Sequence, residues 1–297
     1  MTEKEGFNKL GVTEVDVLIA SFRRPALLEQ ALCNLQQLQN LHQPDLLLNV
    51  HVIDEAMGSG AGPAAARNQA ALAGSSEFIA ILDDDDQWTE HRLQRSIAIL
   101  QQEPEVVLVC GDMEVPARGL DSILGARFTI PEQGLTLDHR DLSLDCFVCT
   151  STVTMRRADW EQAGGMREEL SRAEDYDLWL RLTARGGRIR LLPDRLARYG
   201  VATERLSDDV IAMLEATRSV LEQSSLAPLD ASMRTRLGRL DAALSHQLSA
   251  RNSPLRALRH SIRALRQAPF ARLCWSSLAR ALLSCLAVPR FGNISPP

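Results

Sequence analysis

Apolar positions in the first half of the chain follow two alternating rhythms. Val15 to Ala20 is a short continuous apolar run, the pattern of a buried strand. Pro25 follows, a residue that the first turn of a helix tolerates. Leu27, Leu28, Ala31, Leu32, Leu35 and Leu38 then recur at helical spacing. The alternation repeats: Leu47 to Ile53, Phe78 to Leu82 and Val106 to Cys110 read as strands. Ala64 to Ala73 and Trp88 to Gln102 read as helices, the second with Leu93, Ile97 and Leu100 on one face. Such alternation predicts parallel strands joined by right-handed crossovers, and ligands in these sheets bind beyond the strands' carboxyl ends.

The second half is less regular. Residues 111 to 148 show no clear period, and Val153 to Met155 returns as a strand. Arg157 to Ala163 is a short helix closed by Gly164 and Gly165. Ser171 with Glu174 forms a capping-box pattern before a helix running to about Ala184. Ile189 to Leu192 and Leu196 to Tyr199 read as short strands. From Thr203 the pattern is helical, with breaks near Pro228 and Pro254. The expected class is α/β, a mostly parallel Rossmann-like sheet flanked by helices, with a C-terminal α-helical extension. The expected division is a polar tail over 1–13, an α/β domain over 14–205 and a helical region over 206–297.

Composition narrows this only slightly. The 297 residues are 45% apolar and 24% charged, ordinary for a globular protein. No run of 18 apolar residues predicts a spanning helix. Met1 to Lys9 lacks the apolar core of an export signal, so a cytoplasmic location is expected, at most at the inner face of the plasma membrane. Cys146 and Cys149 make a lone C-x-x-C with no second ligand pair nearby, which favours two small packed residues over a zinc site.

Charge is distributed unevenly along the chain. The last 47 residues hold eight arginines and no acid, leaving 25 basic against 38 acidic groups in the first 250. Such asymmetry suggests that the basic end meets an anionic partner. Leu255, Leu258, Ile262 and Leu265 form one face of a helix there, and Arg256, Arg259, Arg263 and Arg266 line another. Either this is an amphipathic helix on a membrane surface, or it belongs to a helical hairpin packed on the α/β domain. The second is preferred, because apolar stripes at this spacing are usually core.

Candidate chemistry collects at the predicted strand ends. Ile79 to Leu82 delivers Asp83, Asp84, Asp85 and Asp86 in succession, followed by Gln87 and Trp88. Four adjacent carboxylates repel one another, and a hard divalent cation, Mn2+ or Mg2+, removes that cost while sharing its other positions with phosphates. The competing explanation is a solvated acidic loop; the buried strand before the run argues against it. Asp54 and Glu55 end the preceding strand. Gly58-Ser59-Gly60-Ala61-Gly62-Pro63 then leads into Ala66-Arg67-Asn68, with glycines that permit close backbone approach. It is neither a Walker loop nor a G-x-G-x-x-G turn. In Glu174-Asp175-Tyr176-Asp177-Leu178-Trp179, the spacing puts Asp175 on the inner face of a helix start, where the dipole favours an anion.

In this order these segments resemble the family 2 glycosyltransferases, inverting enzymes of the GT-A fold. Val17-Leu18-Ile19-Ala20-Ser21-Phe22-Arg23-Arg24 is similar to the family's opening strand and turn. Val52-Ile53-Asp54-Glu55 resembles its Val-Asp-Asp strand end, and Ala66-Arg67-Asn68 its Ala-Arg-Asn. Leu82-Asp83-Asp84-Asp85-Asp86 resembles its Asp-x-Asp-Asp motif. Gly164-Gly165-Met166 with Glu174 to Arg181 resembles its Gly-Gly-Phe and Glu-Asp-Tyr-Asp-Leu-Trp-x-Arg signatures.

The resemblance implies single-step, metal-dependent transfer of a sugar from a nucleoside-diphosphate sugar, a UDP type favoured. The acceptor would be a saccharide or lipid-linked hydroxyl in polysaccharide, lipopolysaccharide or other glycoconjugate assembly, with no nucleic acid involved. Ser21, Phe22, Arg24, Asp54, Arg67, Asp83 and Asp84 would hold the donor. Asp85 with Asp83 would hold the metal, Asp175 would be the catalytic base, and Glu174, Trp179 and Asp86 would face the acceptor. The chain departs from the pattern at Arg23, at Glu55 and at Val201-Ala202-Thr203-Glu204, where a histidine is usual. An inactive nucleotide- or partner-binding module and a nucleotidyltransferase remain as alternatives.

Overall fold

A computed structural model describes residues 12–42, 45–54, 62–116, 124, 129–200, 206–224 and 230–287. Glu55, Gly58 to Ala61 and Val201 to Glu204 lie outside the described residues. In chain order the elements begin with β1 (Thr13–Ser21), α1 (Pro25–His42), β2 (Leu46–Asp54), α2 (Pro63–Ala73), β3 (Phe78–Ile81), β4 (Gln87–Trp88) and α3 (Arg92–Gln102). Next come β5 (Val106–Glu114), β6 (Leu135–Leu137), α4 (His139–Leu144), β7 (Thr154–Arg156), α5 (Arg157–Ala163), α6 (Glu174–Ala184) and β8 (Arg188–Arg198). Four more helices follow among the described residues: α7 (Val210–Ser224), α8 (Ala231–Ala250), α9 (Pro254–Gln267) and α10 (Arg272–Ala287).

The chain divides into two compact units. The first comprises Met1–His139, Phe147–Ser171 and Arg185–Ala202; the second comprises Arg140–Cys146, Arg172–Ala184 and Thr203–Pro297. Helix α6, expected within the α/β domain, groups with the second unit, where it packs on α7.

The first unit is a single sheet in the order β2-β1-β3-β7-β5-β8-β4, with β6 beside β8. Strands β2, β1 and β3 run parallel, as the strand–helix alternation predicts. Strand β7 then inserts antiparallel between β3 and β5, so the parallel run is broken before β5 and β8 resume it. Between β5 and β7 the described residues hold the short β6 and the six-residue α4, and an antiparallel neighbour needs no crossover helix. The two predicted strands near residues 189 and 199 are one bulged strand, β8. Gly111 sits at the shift, where a Cβ would meet the Leu196 side chain at 2.7 Å.

Inward residues of the strands, among them Val15, Val17, Ile19, Phe78, Ala80, Leu82 and Val109, pack with Leu35 and Leu38 of α1 and Leu93, Ile97 and Leu100 of α3. Trp88 departs from expectation. It belongs to β4, not to the start of α3, because the Asn34 side chain accepts from its N–H at 2.8 Å and donates to its carbonyl at 3.1 Å.

In the second unit, α6 begins at Glu174, later than a Ser171 cap predicts. Ala173, at φ 59°, supplies the carbonyl that accepts the first helical bond, from Asp177 N–H. Helix α8 packs against α7, α9 and α10. The predicted apolar face of α9 is only half used: Leu258 and Leu265 pack against the helical core, while Leu255 and Ile262 are exposed. Ala257, His260, Ser261 and Ala264 face inward, while Leu255 is 78% exposed. Small residues decide this: a Cβ on Gly238 of α8 would already meet the Ala268 Cβ at 2.8 Å. The basic end thus forms a hairpin of α9 and α10 seated on α8. No described helix is long and apolar enough to cross a membrane. All six cysteines, Cys146 and Cys149 among them, are free thiols.

Candidate functional site

Strand β3 ends in the core and its chain emerges at Asp83. One oxygen from each of Asp83, Asp85 and Asp86 lies within 4.8 Å of the others. Two arginines approach this group. Arg24, just past β1, lies 3.2 Å from Asp84 and 3.7 Å from Asp85. Arg67, on the first turns of α2 and itself buried, donates to Asp83 at 2.6 Å. Phe22, next to the buried end of β1, is exposed and lies 4.9 Å from the Arg23 guanidinium. Parallel pairing sets Ser21 directly beside Asp54 at the ends of β1 and β2. The Ser21 hydroxyl is buried and has no hydrogen-bond partner among the described residues, nor has Oδ2 of Asp84. Buried polar atoms left unpaired are costly, and a polar ligand at this strand end would satisfy them.

Asp86 holds the loop rather than lining it. It is 3% exposed, its oxygens accepting from Ser151 Oγ at 2.6 Å and from Gly200 N–H at 2.9 Å. Ser151 Oγ also accepts from Asp83 N–H at 3.1 Å, and its carbonyl accepts from Trp88 Nε1 at 2.8 Å. A Cβ at Gly200 would overlap the Asp85 carbonyl, so only glycine lets β8's end come this close. Arg92, fully buried, stacks 3.7 Å from the Trp88 ring and donates to the Val153 carbonyl at 2.7 Å. Sequence reasoning missed Ser151, Gly200 and Arg92. None stands in a motif, and only the fold brings them to the aspartates.

Burial and the neighbouring Asp83 push the Asp86 carboxyl up to about 7, against its hydrogen bonds from Ser151 and Gly200. Its protonated form therefore stabilises the fold fully below pH 3.8, and that contribution is lost as pH rises through about 7. The carboxylate oxygens of Asp83 and Asp85 fit Mn2+ or Mg2+, and ionised Asp86 within 4.8 Å adds negative charge that favours such a cation. Added Mn2+ is accordingly expected to raise Tm more at pH 8 than at pH 5.5. Equal shifts at the two pH values would place the cation away from Asp86.

In the second unit the first turn of α6 carries Glu174, Asp175 and Asp177. Asp175 is half-buried and accepts from Tyr176 N–H at 2.6 Å; Asp177 pairs with Arg181 at 2.7 Å. Tyr176 donates to the Leu142 carbonyl at 2.7 Å, and burial pushes its hydroxyl pKa upward. Glu174 is buried. Trp179, expected to face an acceptor, is 0% exposed and serves the core.

Residues 34–163 match the family model described as glycosyl transferase family 2. The chain is 29% identical over 152 residues to the pre-mycofactocin glycosyltransferase of Mycobacterium tuberculosis strains H37Rv and CDC 1551, a match covering 48% of this chain and 31% of each relative. The chain thus spans about a third of the length of those curated relatives. Its fold is similar to S. aureus TarS 1–349 in complex with UDP-GlcNAc, with a TM-score of 0.60 and 15% identity over 92% of this chain and 89% of that one. It is also similar to the mannosyltransferase PcManGT of Pyrobaculum calidifontis in complex with GDP-Man and Mn2+, with a TM-score of 0.58 and 17% identity over 94% of this chain and 82% of that one. At such identities the likeness is one of fold, the GT-A architecture.

Proposed function

We propose, from the premise that residues 34–163 belong to glycosyl transferase family 2, that the chain transfers a sugar from a nucleoside-diphosphate sugar to an acceptor hydroxyl with inversion, one sugar per encounter. The observation that carries this reading is the group of Asp83, Asp85 and Asp86 at the carboxyl end of a buried strand, with Arg24 and Arg67 at its edge. The relatives of like fold hold nucleotide sugars, one with UDP-GlcNAc and one with GDP-Man and Mn2+.

The residues then divide the work by their chemistry. Ser21, Phe22 and Asp54 take the nucleoside: an aromatic face for stacking, a carboxylate to accept from base or ribose N–H and O–H groups, and a hydroxyl that has no partner among the described residues. Arg67 and Arg24 orient the carboxylates. Asp85 and Asp83 would hold Mn2+ or Mg2+, which supplies positive charge against the departing diphosphate. Asp86, tied to Ser151 and Gly200, keeps the loop in one shape. Asp175 takes the proton of the acceptor hydroxyl, an oxygen that must be activated on the sugar face opposite the diphosphate. The acceptor is a saccharide or lipid-linked hydroxyl, and a UDP-type donor is favoured.

Thermal shift with Mn2+ and a panel of nucleoside diphosphates is expected to show stabilisation by one base, with little or none in Asp85→Asn. A donor screen following nucleoside diphosphate release then names the sugar. No response to any nucleotide sinks the transferase reading. Binding without release from any donor favours the inactive module instead.

A further inference from the structure

The second unit holds a polar cleft of about 320 Å³ between α7 and α9, none of whose residues has a role in the transfer proposed above. Its volume falls at the small end of ligand sites, roughly 300 to 1,000 Å³. Its floor is fixed by Asp241 of α8, which is fully buried. Asp241 accepts from Arg218 Nε at 3.1 Å and from His260 Nδ1 at 2.7 Å. His260 thus spends Nδ1 on Asp241. That leaves Nε2 of this nearly buried side chain without a partner among the described residues.

The rim is cationic. Arg256, Arg259 and Arg263 fall at i, i+3 and i+7 of α9 and so share a stripe facing the cleft. The two glutamates present are already engaged: Glu215 with Arg256 at 2.9 Å and Glu222 with Arg218 at 2.6 Å. Arg259 and Arg263 have no ion-pair or hydrogen-bond partner among the described residues. Two uncompensated cations on successive turns repel, and an anion between them removes that cost. Guanidinium forks match phosphate oxygens in particular.

We propose that this cleft binds a phosphate or diphosphate group, with Arg259 and Arg263 supplying the charge and the Asp241-anchored Arg218 and His260 supplying a fixed floor. The ligand is separate from the sugar donor, since no cleft residue belongs to the aspartate loop. It is either a soluble phosphate compound or the phosphate headgroup of a lipid.

The test uses the full chain in excess chelator, where the aspartate loop holds no cation. Inorganic pyrophosphate, titrated at constant ionic strength, is expected to give saturable stabilisation. In Arg259→Gln/Arg263→Gln binding should weaken about tenfold or more, the effect of losing hydrogen bonds to charged groups, with far-ultraviolet circular dichroism unchanged. Asp83→Asn should bind as the wild type does, which separates this site from the donor site. Co-sedimentation with phosphatidic acid vesicles, absent with phosphatidylcholine and lost in the double variant, would identify a lipid source. Binding undiminished in the double variant overturns the proposal. So does a response matched by sodium chloride, or no response to either phosphate probe.

Discussion

Asp175→Asn is expected to lower sugar transfer by roughly a thousandfold, within the range that a positioned general base contributes. Nucleotide binding should keep its affinity. The substitution is nearly isosteric, and the Asn side-chain oxygen can still accept from Tyr176 N–H, the bond that orients Asp175 at 2.6 Å. Helix α6 therefore keeps its first turn, and only the basicity is lost. The kinetic signature is a fall in kcat and kcat/KM together with an unchanged donor dissociation constant, because the interaction removed is made only as the acceptor proton leaves. Nucleoside diphosphate release and calorimetric donor titration measure the two quantities independently. Activity within about tenfold of wild type would take Asp175 out of the role of base.

Asp16→Asn should have the largest effect on stability, about 3 kcal/mol or more, the usual cost of breaking a buried charge pair. Asp16 lies on β1 and is 1% exposed. It accepts from Ser76 N–H at 2.8 Å and Ser76 Oγ at 2.7 Å, pairs with His51 Nε2 at 2.9 Å, and forms an ion pair with Arg157. It thereby ties β1 to β2, to the turn before β3 and to α5. Gly74 belongs to the same arrangement, since a Cβ there would overlap the Asp16 carboxylate. The variant retains one acceptor oxygen but removes the buried countercharge of Arg157, leaving only the exposed Glu161 at 3.9 Å.

Burial opposes the charge on Asp16. Hydrogen bonds from His51, Ser76 and Arg157 overcome it and hold the carboxyl below its ordinary value of 3.8. A lowered pKa means that this stability is present above pH 3.8 and is lost as pH falls through the lower, folded-state value. The gap between wild type and variant should therefore be full at pH 7 and narrow in acid. Denaturant midpoints at several pH values check this. An unchanged midpoint at pH 7 would show that the network contributes nothing net.

Features that depend on neighbours along the chain could be read from the residues alone. Apolar runs and helical spacing specify β1 through β3 with α1 and α2 between them. Consecutive residues at one strand end must share one place, so the acidic run was legible as a unit, with Arg67 and Asp54 on adjacent strand–helix junctions. Tertiary structure alone decided what those carboxylates touch. Ser151 comes from 65 residues beyond Asp86 and Gly200 from 114 residues beyond it, separations that no local period encodes. Their hydrogen bonds and burial turn Asp86 from an expected acceptor contact into the buried anchor of the loop. The same holds for α9. Its sequence shows a leucine face and an arginine face, yet only Leu258 and Leu265 of the first pack on the core, because close approach needs small residues. Ala257, Ser261 and Ala264 therefore turn inward, and the arginines are left along a cleft. Periodicity reports which residues share a face; packing distance decides which face is buried.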